Sequence, residues 1–268
     1  MIRGGVLVRL AMCAVVLGAV SRPAFGQQFC ADPSSSWAGR RVVDLSFSYN
    51  DRTVYWDDDG RFRINATVQS NEVEDWVLVD EISTPTHGGT HMDTPRHFNK
   101  HGWSASEIPL DRLLMVPIAL IDVQQEAARN ASYLMPVAEV LRWEAQNGPL
   151  PSNCLLLIRS GWSKYYNNRN AFYGVDQYGI RHIPAIEPAT VEFLTRQRSL
   201  AGVGIETASV DFYGATRSHH LLAAANVYIL ENLADLSLVP AVGAHAIVMP
   251  MKIDGAGGAP TRVVALLP

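Results

Sequence analysis

Apolar residues recur along this chain in short runs rather than at one continuous period. Val42–Phe47, Val77–Ile82, Val116–Val123, Cys154–Ile158, Ala201–Ile205, Val227–Leu230, Ala246–Met251 and Val263–Leu267 are each four to eight residues long and rich in branched side chains. That length and branching predict strands. Between some of them the spacing becomes helical. Pro136 stands where a first-turn proline belongs, with Val137, Val140, Leu141 and Glu144 after it; Pro188 opens a second such segment with Val191, Leu194 and Arg198. His219–Ala225 predicts a third, short helix. Strands outnumber helices, and their order is not a clean βαβ repeat. The pattern therefore predicts a single α/β domain with a mixed, strongly curved sheet flanked by helices. Asp57-Asp-Asp-Gly60 and Gly255-Ala-Gly-Gly-Ala-Pro260 read as turns, and the second fits neither phosphate-loop spacing.

The first 26 residues follow another logic. Arg3 and Arg9 make a basic start, Leu10–Val20 is an apolar stretch of 11 residues, and Ala24-Phe25-Gly26 offers small residues at a cleavage site. This order predicts a secretory signal peptide over residues 1–26, a folded domain over 27–268, and an exported protein, periplasmic or secreted. Removing three arginines would move the formal charge from −4 to −7, and Cys13 would go with them. Cys30 and Cys154 would then remain, able to pair in an oxidising compartment, although Cys154 reads equally well as a core cysteine of its apolar run. Asn65-Ala-Thr67 and Asn130-Ala-Ser132 match the glycosylation sequon, which matters only in a eukaryotic secretory route.

Composition narrows the functions. The chain has 268 residues, 48% of them apolar and 18% charged, enough to bury a full core and too apolar for a disordered chain. It has no uninterrupted apolar run of membrane-spanning length, so no membrane association is expected after signal cleavage. With no basic block or aromatic–basic stripe, nucleic acid is excluded as the expected partner.

One segment carries most of the chemistry. Thr86-His-Gly-Gly-Thr-His-Met-Asp-Thr-Pro-Arg-His-Phe98 places His87, His91, Asp93 and His97 within eleven residues. Gly88 and Gly89 let the backbone fold so that these side chains converge. Two imidazoles and a carboxylate form a borderline donor set suited to Zn²⁺, Mn²⁺ or Fe²⁺. Pro95 discourages a helix here, so the ligands are expected on a loop joining strands. Ser218-His-His220 and Glu231-Asn-Leu233 form a second cluster, and a chain reversal after the third helix would bring His219 and Glu231 towards the first.

The stretch His87-Gly-Gly-Thr-His-Met-Asp-Thr-Pro-Arg-His-Phe98 resembles the signature of the cyclase-type metal-dependent hydrolases, a family that includes bacterial kynurenine formamidase and isatin hydrolase. The resemblance extends over nearly the whole chain after residue 26. It takes in Asp44-Leu-Ser46, Thr53-Val-Tyr-Trp56, Gly102-Trp103, Ile108-Pro-Leu110, Gly204–Asp211, Glu231-Asn-Leu233 and Pro250-Met-Lys252. It implies a swivelling β/α/β fold and a homodimer or higher homo-oligomer. It also implies one or two divalent ions, Mn²⁺ or Zn²⁺. His87, His91 and Asp93 match the ligands of a first ion; His219 and Glu231 match a pair holding a second, with Asp93 as bridge. His97 matches the proton carrier, while His220 matches nothing and reads as a surface histidine. The pair Tyr55-Trp56 looks closer to the isatin-hydrolase-like branch, and the aspartates after it fit neither branch.

The chemistry such a set supports is attack of metal-activated water on an amide carbonyl, with His97 passing a proton to the leaving nitrogen. Phe47, Trp56, Phe98 and Trp103 flank the motif and are expected as aromatic walls for a planar substrate. The leading expectation is an amidohydrolase opening a cyclic amide or imide, isatin to isatinate in type. An aryl-formamidase of the N-formylkynurenine type is second, and export argues against it because tryptophan breakdown is normally intracellular. A secreted metal- or ligand-binding module without turnover is third; it would have no need of His97.

Overall fold

The computed structural model describes residues 39–57, 59–69 and 76–268. The expected signal peptide, Cys30 and Asp58 lie outside these residues. Residues Arg40–Pro268 form one compact unit. Its strands are β1 (Val42–Asp44), β2 (Arg63–Gln69), β3 (Leu78–Ser83), β4 (His91–Asp93), β5 (Leu114–Asp122), β6 (Leu134–Met135), β7 (Cys154–Arg159), β8 (Ala185–Ile186), β9 (Leu200–Ile205), β10 (Tyr228–Glu231), β11 (His245–Pro250) and β12 (Gly258–Leu266). Its α-helices are α1 (Gln124–Arg129), α2 (Val137–Asn147), α3 (Arg169–Phe172), α4 (Pro188–Gln197) and α5 (Arg217–Ala224). None is long and apolar enough to cross a membrane.

The sheet does more than curve. Seven strands run β12–β11–β5–β7–β9–β10–β4, and β4 pairs again with β12, so the mixed sheet closes into a barrel. β5, β7, β9 and β10 are parallel neighbours, whereas β4, β11 and β12 join antiparallel. The sheet is mixed and strongly curved as expected, and what the expectation lacked is its closure, made by β4, a strand of His-Met-Asp that no apolar run announces.

Alternation explains how the parallel strands read as continuous apolar runs. Leu155 and Leu157 of β7 fill the barrel with Val116, Ile118, Leu230 and Met92, while Leu156 and Ile158 turn outward. The outer face meets Val140 and Trp143 of α2, Val191 and Leu194 of α4, and Leu222 of α5. Both faces are therefore buried, as parallel strands under helices require. Trp143 fixes α2 by donating its indole N–H to the Leu120 carbonyl at 2.8 Å. Cys154 belongs to this outer layer as a free, buried thiol whose pKa burial pushes up to about 12.

Three further expectations are revised. The Val77–Ile82 run forms β3, but among the described residues β3 pairs only with the unexpected β2, in a hairpin whose apolar side chains Ile64, Val79 and Ile82 are exposed. The glycine-rich turn ends early, because Gly258 already belongs to β12. The metal motif is not simply a loop. His87 lies in one, His91 and Asp93 are in β4, and Pro95–His97 is a 3₁₀ turn opened by its proline.

Candidate metal centre and its cavity

Period-two alternation aims the first side chains. Met92 points into the barrel, so His91 and Asp93 point to its other face. Register places Glu231 opposite His91 and Leu230 opposite Met92, which carries Glu231 to the same side. On its other edge β4 pairs Asp93 with Gly258, where a Cβ would stand 2.6 Å from the His87 imidazole Nε2. A side chain at 258 would displace His87, which accounts for the glycine. Gly89 turns the chain with φ +57°, and its carbonyl accepts from His91 Nδ1 at 2.9 Å and from Asn232 Nδ2 at 2.8 Å.

His219 arrives from the far half of the chain on the first turn of α5. Asp211 fixes it: the carboxylate accepts the Ser218 and His219 backbone N–H groups at 2.9 and 3.0 Å and His219 Nδ1 at 2.8 Å. Sequence reasoning passed over Asp211. An N-capping carboxylate is sought immediately before a helix, and this one stands six residues ahead of Arg217.

The five expected ligands and His97 converge. His87 Nδ1 lies 2.6 Å from Asp93 Oδ1, and His91 Nε2 lies 3.3 Å from the same oxygen. His219 Nε2 stands 3.3 Å from both Asp93 Oδ2 and Glu231 Oε1, and His91 Nε2 is 3.6 Å from Glu231 Oε2. His97 is more distant, with Nε2 3.9 Å from Asp93 Oδ2 and its ring stacked on His87 at 4.0 Å. Two groupings have donor spacing that suits an ion: His87 with Asp93 and His97, and His91 with Asp93 and Glu231. This partition differs from the expected one, which set His97 apart and grouped His91 with His87.

The donor set fits a divalent cation on two grounds. Asp93 and Glu231 are buried side by side, and among the described residues their ion-pair partners are imidazoles. Burial raises both carboxyls. Hydrogen bonds from His219, His87 and His91 nevertheless hold Asp93 well below the usual range, whereas Glu231 stays raised beside the Asp93 charge. The second ground is the posture of the rings. His91 and His219 each commit Nδ1–H elsewhere, to the Gly89 carbonyl and to Asp211, which leaves both Nε2 lone pairs aimed at carboxylate oxygens. Lone pairs facing carboxylates require a proton or a cation between them. Burial lowers the pKa of His219, but Asp211, Asp93 and Glu231 together push it up to about 12; His91 is raised in the same way against its own burial. The fold thus concentrates demand for positive charge at one point, the condition for holding a metal ion.

The cluster floors a cavity of about 690 Å³. Trp56, Phe98 and Tyr173 supply aromatic wall, and Asp57 and Asp59 also border it. Phe98 packs against His97 and His219 with ring centres 4.5 and 4.7 Å away. Phe47 and Trp103, expected as walls, do not line it. Phe47 stacks on Tyr166 at 3.7 Å, and Trp103 packs on the barrel core beneath Arg112. Both follow or precede the motif in sequence but turn away from it in space. His220 is exposed, edge-on to Phe98.

Comparison with known proteins gives a consistent picture. The Cyclase family model matches residues 43–212. The isatin hydrolase of Roseibium aggregatum is 30% identical over 203 residues, which are 72% of this chain and 74% of that protein. The kynurenine formamidase of Salinibacter ruber is 28% identical over 225 residues, 83% of this chain and 96% of its own. Among solved structures, an isatin hydrolase bound to the product analogue thioisatinate superposes with a TM-score of 0.78 at 26% identity, covering 85% of this chain and 93% of that one.

Proposed function

The chain belongs to the Cyclase family, and from that membership we propose that it is a metal-dependent hydrolase opening the ring amide of a planar aromatic substrate, isatin to isatinate in type. The observation that carries this reading is a buried His/Asp/Glu cluster facing an aromatic-walled cavity of about 690 Å³. The likeness to isatin hydrolases supports the substrate class.

In this reading His87, His91, His219 and Glu231, gathered around Asp93, are the residues that would hold the metal. A divalent ion held there supplies Lewis acidity, polarising a carbonyl and making water nucleophilic near neutral pH. Mn²⁺ and Zn²⁺ both suit the donors. Trp56 and Phe98 hold the ring and exclude water from its faces. His97 takes a proton from the attacking water and delivers it to the leaving nitrogen, so that ring opening ends in a carboxylate and a free amine.

The test is hydrolysis of isatin beside N-formylkynurenine by protein stripped with chelator and reconstituted separately with Mn²⁺ and Zn²⁺. Turnover of isatin, lost on stripping and restored by metal, is expected. Preference for the formamide would select the aryl-formamidase reading, which the 28% identity to a kynurenine formamidase favours. Bound metal without hydrolysis of either would sink both.

Asp211 gives a second expected outcome. Asp211→Asn keeps the size of the side chain but weakens acceptance from His219 Nδ1. Loss of such a partner lowers metal affinity by about 10–100-fold. Titration against a competing chelator reads this directly, and unchanged affinity would remove Asp211 from the site.

A further inference from the structure

We propose that Arg181 is the positioning residue that holds Trp56 against the cavity and so sets its selection of planar aromatic amides, an inference that rests on the function proposed above. The segment carrying Trp56 has little regular structure. Tyr55 makes one isolated bridge to Gly88, and Gly60 N–H bonds the Asp57 carbonyl. Side chains more than a hundred positions away hold the segment as well, Arg169 and the Tyr173 hydroxyl donating to the Tyr55 carbonyl. Arg181 Nη1 donates to the Trp56 carbonyl at 3.1 Å. Its guanidinium carbon also lies 4.3 Å from the Tyr173 ring centre, 4.8 Å from that of Trp56 and 5.5 Å from that of Tyr213. Trp56 meets the other two rings, edge-on to Tyr173 at 5.9 Å and tilted to Tyr213 at 6.1 Å.

Arg181 stands behind this wall. Trp56 and Tyr173 line the cavity above the metal cluster, whereas Arg181 and Tyr213 line a separate groove of about 310 Å³ next to it. The planar fork lets one side chain stack on aromatic faces while it bonds a backbone oxygen, a combination a lysine cannot reproduce.

Its own position is fixed in turn. Asp176 Oδ1 accepts the Tyr178 and Ile180 N–H groups at 2.8 and 2.9 Å, closing a tight loop. The neighbouring His182 is pinned between Asp176 Oδ2 at 3.1 Å and the Ser132 hydroxyl at 2.8 Å. That chain anchors both ends of the loop presenting Arg181. A cation over the indole also withdraws π density from that ring. The wall then favours neutral or electron-rich rings over cationic ones, in keeping with an aromatic amide.

The test compares Arg181→Met, which keeps length without charge, with Arg181→Lys, which keeps charge without the fork. On the aromatic amide turned over by the native protein, Arg181→Met is expected to raise KM about tenfold, the scale of one cation–π contact with its hydrogen bond. kcat and metal content should stay within about twofold, and Arg181→Lys should recover part of the KM loss. Hydrogen exchange of the peptide over residues 55–60, read by mass spectrometry, should quicken in Arg181→Met while the peptide over 87–97 keeps its protection. Unchanged KM would overturn the proposal, as would a fall in kcat and metal content together with the rise in KM. If the native protein hydrolyses no amide, the function reading fails by itself. The exchange measurement then decides, and unaltered exchange over 55–60 overturns the role of Arg181.

Discussion

Asp93→Asn is expected to remove metal and turnover together, lowering kcat/KM by at least about 10³-fold. Four imidazoles face its two oxygens. Asp93 Oδ1 faces His87 and His91 at 2.6 and 3.3 Å, and Oδ2 faces His219 and His97 at 3.3 and 3.9 Å. Asparagine occupies the same volume, and the backbone pairs of β4 with β10 and β12 do not depend on the carboxylate. The barrel should therefore still close. What changes is charge, since one of the two buried carboxylates that call for a cation becomes a neutral amide carrying two N–H donors. Elemental analysis should find the variant empty, and Mn²⁺ or Zn²⁺ should no longer raise its melting temperature as binding to the native state does for the parent. Full metal occupancy in Asp93→Asn would place the ion elsewhere and sink the cluster as its site.

The parts of the fold legible in the sequence are those whose signal is local. Cys154–Ile158 announces β7 because both faces of that strand are buried along these five residues, and all five are apolar. Pro188 with Val191 and Leu194 announces α4 because one stripe packs on the barrel. β2 escaped because Arg63-Ile-Asn-Ala-Thr-Val-Gln69 belongs to an exposed hairpin, where no burial enforces a run. β4 escaped because two of its three residues belong to the metal cluster. Closure of the barrel rests on that one strand, so it was invisible along with it. The site divides in the same way. His87, His91, Asp93 and His97 are neighbours in sequence and could be read from spacing. His219 and Glu231 needed the family resemblance, because strand register brings Glu231, and the start of α5 brings His219, to Asp93 from far along the chain. Tyr173 and Arg181 carried no signal, since the groups they hold, Tyr55 and Trp56, lie far along the chain, and Asp211, though within the resembling block Gly204–Asp211, showed no sign of a role because the helix it caps starts six residues later. Phe47 and Trp103 show the converse: nearness to a motif in sequence does not decide which way a ring turns.

His97 is the residue on which ligand and proton-carrier readings part. Its substitution by glutamine or alanine is expected to lower kcat by about 10²–10⁴-fold with metal content intact. The donor spacing alone also permits His87, Asp93 and His97 to hold an ion, and in that case the variants would lose metal. Geometry favours the first outcome. His97 Nε2 stands 3.9 Å from Asp93, beyond the 3.3 Å contacts of His91 and His219, and its side chain is 34% exposed where theirs are buried. A proton carrier needs that access, since it must exchange with solvent between turnovers. Burial and the neighbouring imidazoles hold its pKa down to about 4, against the pull of Asp93. At neutral pH the ring is therefore unprotonated and begins the cycle as an acceptor. Removing it leaves space against the His87 ring, on which it stacks at 4.0 Å. Free imidazole added to His97→Ala should occupy that space and restore part of kcat, in proportion to its unprotonated fraction. Rescue of that kind requires a proton acceptor and cannot arise from repair of a structural contact. Failure of imidazole to restore activity to a metal-loaded His97→Ala protein would take the proton-transfer role from this residue.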